Sequence, residues 1–287
     1  MQAALRNRLT FGPIMGLSTL GLLWLDWKIG QGYGVHGVGI VVILLVTLPL
    51  GVVELAPLLA ARQVKPYRII AAVGVVGLIV HAFATQFPAF AVYATPAVVL
   101  LVVLTMVGSA LRIALGRTTD LAIVSMAGTA LATLYVGGMG WFLLALRVSN
   151  EPVSGSTVKI VFVIVTVKVT DIGAFAAGKL LGRHKLIAWL SPGKTWEGLA
   201  GGLLTAAAIG AALSPLISDG LPWWKGALFG ATLGLVGQGG DLLESMLKRD
   251  AAVKDSGAII PGFGGVLDVI DSPLLASPVA YLLFLAF

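Results

Sequence analysis

The chain has 287 residues, 58% of them hydrophobic and only 11% charged, with a formal net charge of +6 at pH 7. A soluble domain carries about 25% charged residues, so with a mean hydropathy of +0.99 a soluble globular protein is excluded. The absence of cysteine removes disulfides, thiolate catalysis and thiolate metal sites.

A helix needs about 20 apolar residues to cross a hydrocarbon core of ~30 Å. Nine such runs are predicted in chain order, at 9–27, 36–60, 69–87, 89–111, 119–146, 160–178, 197–217, 226–247 and 267–287. Segments such as Gly39-Ile40-Val41-Val42-Ile43-Leu44-Leu45-Val46 lack the alternation of a membrane barrel strand. The first run follows Arg6 and Arg8 and continues to Trp27 with no small-x-small cleavage site, so it reads as a retained helix rather than a signal peptide. The predicted fold is an all-α polytopic transmembrane bundle of about nine spanning helices.

The connections are asymmetric in charge. One side holds fourteen cations, Arg6, Arg8, Arg62, Lys65, Arg68, Arg112, Arg117, Lys179, Arg183, Lys185, Lys194, Lys248, Arg249 and Lys254, and the other holds four, Lys28, Arg147, Lys159 and Lys225. Positive charge stays inside, which places the N-terminus in the cytoplasm and makes this a multi-pass protein of the cell inner membrane. A basic cytoplasmic face suits anionic lipid head groups or phosphates. Nucleic acid is not an expected partner, since no loop is long enough to form a binding domain. The histidines His36, His81 and His184 match no zinc spacing.

Through residue 150 the acids are Asp26, Glu54 and Asp120, and the other ten of the thirteen follow. The expectation is a single membrane domain, 1–287, with a helical scaffold at 1–150 and a catalytic part at 151–287. The stretch Ile260-Pro261-Gly262-Phe263-Gly264-Gly265 must be a loop, because proline and consecutive glycines do not propagate a helix.

Three polar clusters occupy the second part. In the first, Asp241, Glu244, Ser245, Lys248 and Arg249 are spaced to share one helix face. Beside Gly230, Gly234 and Gly237 that face points into the bundle or a watered cavity, since charge in lipid costs several kcal/mol. Snorkelling at the end of a span would explain Lys248 and Arg249 but not the deeper Asp241. The second cluster runs from Lys254-Asp255-Ser256-Gly257 through the glycine loop to Asp268 and Asp271, at i and i+3 on the last helix. Adjacent carboxylates repel and recruit a proton or cation, and Mg²⁺ takes carboxylate oxygens together with substrate phosphates. Asp241, Asp268 and Asp271 can hold the metal while Lys248, Arg249 and Lys254 meet phosphate oxygens. The bland alternative is that Asp268 caps the helix and Asp271 is solvated.

The third cluster is Asp171-Ile172-Gly173-Ala174-Phe175 with Ser191-Pro192-Gly193-Lys194-Thr195-Trp196-Glu197-Gly198. A phosphate-binding P-loop fails here: Ala188 stands where the first glycine is required, and no strand was expected before it. A helix start with Thr195 near the N-cap is the better reading, its free N–H groups favouring an anion. An interfacial loop with a Trp anchor is the bland one. Lys168, inside a predicted span, is expected to pair with Asp171.

These residues resemble those of the phosphatidate cytidylyltransferases, or CDP-diacylglycerol synthases. That family's Ser-x-x-Lys-Arg, Lys-Asp-x-Gly, Pro-Gly-His-Gly-Gly and Asp-Arg-x-Asp motifs are matched by Ser245, Lys248, Arg249, Lys254, Asp255, Gly257, Pro261, Gly262, Gly264, Gly265, Asp268 and Asp271. Gly240-Asp241-Leu242-x-Glu244, Asp171-x-Gly173-Ala174 and Ser191-Pro192-x-Lys194-Thr195-Trp196-Glu197-Gly198 match as well, so the likeness covers roughly 165–275. Phe263 stands at a usual His and Val269 at a usual Arg.

The resemblance implies cytidylyl transfer from CTP to phosphatidate, giving CDP-diacylglycerol and pyrophosphate, at a site facing the cytoplasm. It implies catalytic roles for Asp241, Lys248, Arg249, Asp255, Asp268 and Asp271. Substrate contacts fall to Asp171, Lys194, Thr195, Trp196, Glu197, Ser245, Lys254, Gly264 and Gly265. Mg²⁺ is the expected cofactor, with room for a second cation; membrane lipids are partners, and a homodimer is allowed. A polyprenol or phytol kinase has a different motif family. The Asp-Gly-x-x-Ala-Arg run of the CDP-alcohol phosphotransferases is absent, and a transporter would show two related halves.

Overall fold

The computed structural model describes residues 2–148, 153–217 and 220–286, almost all of them helical. In chain order the elements are α1 (Gln2–Tyr33), α2 (Val38–Ala60), α3 (Arg68–Ala84), the single turn α4 (Pro88–Ala91), α5 (Ala94–Gly116) and α6 (Ala122–Ala132). A π-helical turn, Thr133–Gly138, joins α6 to α7 (Met139–Val148). Then come α8 (Val153–Leu181), the strands β1 (Lys185–Ile187) and β2 (Ser191–Thr195), α9 (Trp196–Leu213), α10 (Trp223–Asp250) and α11 (Leu267–Ala286).

Each predicted run falls on a helix. Among the described residues, six helices are long and apolar enough to cross a membrane: Val38–Ala60, Ala94–Gly116, Ala122–Val148, Thr157–Leu181, Trp196–Leu216 and Leu267–Ala286. Arg68–Ala84 is apolar but shorter, and α10 is diluted by its glycines and the charges of its last turns. A multi-pass helical membrane protein therefore stands on six such helices. The β1–β2 hairpin, pairing Lys185 with Thr195 and Ile187 with Ser191, was not anticipated.

The chain divides into two compact units. One comprises Met1–Val148 with Asp250–Val269, the other Ser149–Arg249 with Ile270–Phe287. The expected boundary between scaffold and catalytic part, 150/151, lies outside the described residues.

In the first unit α3 packs against α2, α5, α6, the π-turn and α7. Small residues set these crossings, as they do wherever lipid offers no hydrophobic drive and close packing must supply the attraction. Gly74 faces Thr105 and Thr133, Gly137 lies against Val75, and Gly140 against Leu48. Arg147, counted in the sequence as a loop cation, is fully buried and donates through Nε to Asp26 Oδ2. Asp26 Oδ1 also accepts from Gly39 N at 3.2 Å.

In the second unit α8 and α9 run against each other along glycine and alanine positions. Gly173 meets Thr205, Gly201 meets Ala177, and Gly202 meets the carbonyl of Thr170. Thr195 has extended backbone and its hydroxyl accepts from Gly198 N at 3.0 Å, so it is the N-cap of α9, as its position before Trp196 suggested.

Candidate active site

One face of α10 carries Gly226, Gly230, Gly234 and Gly237, and continues as Asp241, Glu244 and Lys248. The glycines let backbones touch: Gly226 sits on the carbonyl of Gly210, Gly230 on that of Ala206, Gly234 on Thr170 and Gly237 on Val167. That approach draws the polar end of the same face into the unit. Glu244 is fully buried and Lys248 is 9% exposed. Gly240 in turn faces the Asp271 carbonyl and Ser272, where a Cβ would lie 2.8 Å from the oxygen, so α11 passes close to α10 at the height of these acids.

The result is a group of three carboxylates, Asp241, Glu244 and Asp271, each with an oxygen within 4.8 Å of the others. Asp271 is 3% exposed, so the alternative of a solvated Asp271 is excluded. Its Oδ1 accepts from Ser272 N at 2.6 Å and from Ser272 Oγ at 3.1 Å, which orients the carboxylate. Lysines surround the group. Lys194 Nζ lies 2.6 Å from Asp241 Oδ2, and Lys248 Nζ donates to Glu244 Oε2 at 2.8 Å. Lys168 lies near enough for its charge to act on both Asp171 and Asp271, a wider reach than the expected Lys168–Asp171 pair.

Gln238 completes a chain of contacts. Its Oε1 accepts from Lys194 Nζ at 2.9 Å and its Nε2 donates to Asp171 Oδ1 at 2.7 Å. The amide's oxygen can accept from an ammonium while its NH₂ donates to a carboxylate. The path Asp171–Gln238–Lys194–Asp241 thus ties α8, the hairpin and α10 into one polar network. Sequence reasoning missed Gln238, whose single polar atom pair carries no charge, and left Glu244 out of the ligand set. Its spacing from Asp241, one turn along the same face, was the available signal.

Other predicted residues have different surroundings. Glu197 accepts from the backbone N of Arg183 and His184 and from His184 Nδ1, closing the hairpin onto the start of α9. Trp196 is exposed, Ser245 half-buried and Arg249 exposed.

Lys254, Asp255, Gly264, Gly265 and Asp268 belong to the first unit. Lys254 and Asp255 are exposed. Asp268 Oδ2 accepts from Ser256 N at 3.0 Å, Ser256 Oγ at 2.8 Å and Gly265 N at 2.7 Å. Its carboxylate therefore organises the glycine loop and reaches back across the start of α11, close to the capping alternative. Gly264 has φ +99°, a conformation that costs glycine little and other residues much. Phe263, at the departure from the family loop, lays its ring beside Gly12 of α1.

Three hard oxygen donors so close together suit a cation such as Mg²⁺, whose Mg–O bonds are about 2.1 Å, so that ligands on opposite sides are about 4.2 Å apart.

Residues 6–287 match the model of the cytidylyltransferase family. A phosphatidate cytidylyltransferase of Bacillus subtilis (strain 168) is 40% identical over 157 residues, 55% of this chain and 57% of that protein. One from Brucella suis biovar 1 is 40% identical over 151 residues, 53% and 55% of the two chains. The uncharacterized protein YnbB of Escherichia coli (strain K12) is 38% identical over 140 residues, 49% and 46%. The chain spans about half the length of the curated relatives it matches.

Proposed function

Since the chain belongs to the cytidylyltransferase family, we propose that it transfers the cytidylyl group of CTP to phosphatidate. A phosphate oxygen of phosphatidate attacks the α-phosphorus of CTP, the bond from that phosphorus to the bridging oxygen of the β-phosphate breaks, and pyrophosphate leaves. The nucleophile is a phosphate monoester already ionised near neutral pH, so no histidine or thiol is needed to deprotonate it. The barrier is the meeting of two polyanions, which fixed positive charge lowers.

The observation that carries the reading is the interleaving of acid and base in the second unit. Asp241, Glu244 and Asp271 lie within 4.8 Å of one another, with Lys194 on Asp241 and Lys248 on Glu244. Those three carboxylates would hold Mg²⁺, which supplies Lewis-acid neutralisation of phosphate oxygens when bound. Lys194 and Lys248 would turn from their carboxylate partners toward substrate phosphates. Gln238 would hold Lys194 in register, and Lys168 would offset the charge of Asp171 and Asp271. Asp268 would keep the glycine loop folded, and by the family resemblance Lys254 and Asp255 on that loop contact substrate.

The orientation forms part of the proposal: nine spans in the inner membrane, with the N-terminus and the site on the cytoplasmic side, where CTP is. The burial of Arg147 against Asp26 supports it, because one of the four cations on the opposite side is then not a loop charge. The test is purified protein with phosphatidate, Mg²⁺ and labelled CTP. Lipid-soluble cytidine and equimolar pyrophosphate are expected, and neither forming would overturn the reading.

A further inference from the structure

Glu54 lies in α2, outside every signature segment, and is 5% exposed. A carboxylate inside a membrane-spanning helix is costly unless its charge is met. Here the main chain meets it: Oε1 accepts from Val266 N at 2.9 Å and Oε2 from Leu267 N at 2.8 Å. These N–H groups open α11, where a helix cannot satisfy its own donors and favours negative charge.

The glycine loop is wrapped around this carboxylate. A Cβ on Gly257 would lie 2.5 Å from Glu54 Oε1, and one on Gly265 2.5 Å from Glu54 Oε2. Both signature glycines thus lie directly against an acid from the other end of the sequence, where a side chain would have to displace its carboxylate. Ser256 Oγ lies 3.4 Å from Glu54 Oε2 and 2.8 Å from Asp268 Oδ2; having one hydrogen, it donates to Asp268. Asp268 then links Ser256 to Gly265, and Glu54 fastens the exit at Val266 and Leu267. Lys254 and Asp255 stand exposed at the entrance.

We propose that Glu54 is a positioning residue for cytidylyl transfer, holding the 256–267 loop so that Lys254 and Asp255 are presented in one conformation. The role of that loop in transfer rests on the function proposed above; the clamp itself rests on the hydrogen bonds and the glycine contacts. Glu54 is not assigned any contact with substrate.

The experiment uses the full chain in detergent, which is free of native cysteine, with exposed Ala258 as the reporter position. A258C is made alone and with Glu54→Gln or Glu54→Asp. Maleimide labelling, melting midpoint, kcat and KM for CTP are measured for each. E54Q keeps the size but turns amide hydrogens toward backbone donors. It is expected to label about fivefold faster and to lose about tenfold or more in kcat, with KM for CTP nearly unchanged and the folded fraction intact. E54D keeps the charge at shorter reach and is expected to fall between.

Labelling at the parental rate in E54Q would overturn the clamp, and faster labelling with parental kcat would overturn the positioning role. So would a kcat loss that merely tracks the folded fraction. If E54Q does not fold, E54D carries the test, and parental labelling and kcat there would overturn the proposal. If the parent itself fails to turn over CTP, the proposed function fails, and labelling alone still decides the clamp.

Discussion

Lys194 Nζ lies 2.6 Å from Asp241 Oδ2, joining a lysine near the end of the hairpin's second strand to an acid on a glycine-faced helix. The pair makes one site from two sequence clusters. Lys248 likewise rests on Glu244, so both lysines are held by carboxylates of the same group.

Removing a ligand should separate chemistry from folding. Asp271→Asn keeps the side chain's shape beside Ser272 but removes its charge and one of its two oxygen ligands. Turnover should fall to background, and Mn²⁺ binding followed by EPR should weaken at least tenfold, while the melting midpoint in detergent stays near the parent's. Parental Mn²⁺ affinity in this variant would remove Asp271 from the cation site.

Gln238 offers a sharper probe of the network. Gln238→Leu removes both hydrogen bonds, so that part-buried Lys194 keeps Asp241 but loses its amide partner, and Asp171 Oδ1 loses its amide donor. A rate loss of about tenfold or more is expected, since tenfold corresponds to about 1.4 kcal/mol. Gln238→Glu should be worse than leucine for Asp171, which it faces with like charge. Equal rates for parent and Q238L would show that Lys194 needs no second holder.

Lys168 acts on two carboxylates at once. Lys168→Met should cost about tenfold or more in rate, roughly 1.4 kcal/mol of transition-state stabilisation. Phe263→His, at a position where the ring already packs beside Gly12, should change the rate little. If F263H with Val269→Arg raised the rate by orders of magnitude while K168M did nothing, the role proposed for Lys168 would be refuted.

Packing should respond to glycine substitution by location. A Cβ at Gly210 would collide with the carbonyl of Gly226, whereas nothing stands within 4 Å of one at Gly21. Gly210→Val should cost about 1–3 kcal/mol or more, seen as a melting midpoint lower by several degrees in detergent. Gly21→Val should leave the midpoint in place. The reverse order would contradict the backbone contact between α9 and α10.

Sidedness is open to the same cysteine-free chemistry. The thiol of Ala258→Cys should be labelled in inverted vesicles by a membrane-impermeant maleimide and protected in right-side-out cells. Labelling only from the outer face would reverse the proposed orientation.

Much of the architecture was legible without coordinates. Long apolar runs have no stable form in lipid except helix, because backbone groups must be satisfied within the segment; hence the helices at all nine predicted positions. The acids on α10 were likewise readable, since Asp241, Glu244 and Lys248 repeat at helical spacing and local geometry alone puts them on one face. The hairpin at 185–195 was not, because its strands are short and its stability comes from Glu197 closing on Arg183 and His184.

Composition and helical period by themselves determined that this chain lives in a membrane, that it is helical, and that most of its acids lie in its later part. Those properties depend on neighbours along the chain and on solvent, which a sequence states directly. Only the tertiary structure decided that Glu244 stands with Asp241 and Asp271, that Asp268 spends its carboxylate on the loop, and that Glu54 clamps that loop from α2. Each of these depends on which backbone passes within hydrogen-bond reach. In this fold that reach is set by glycine positions that let helices approach, a distance relation no residue spacing along one chain can express.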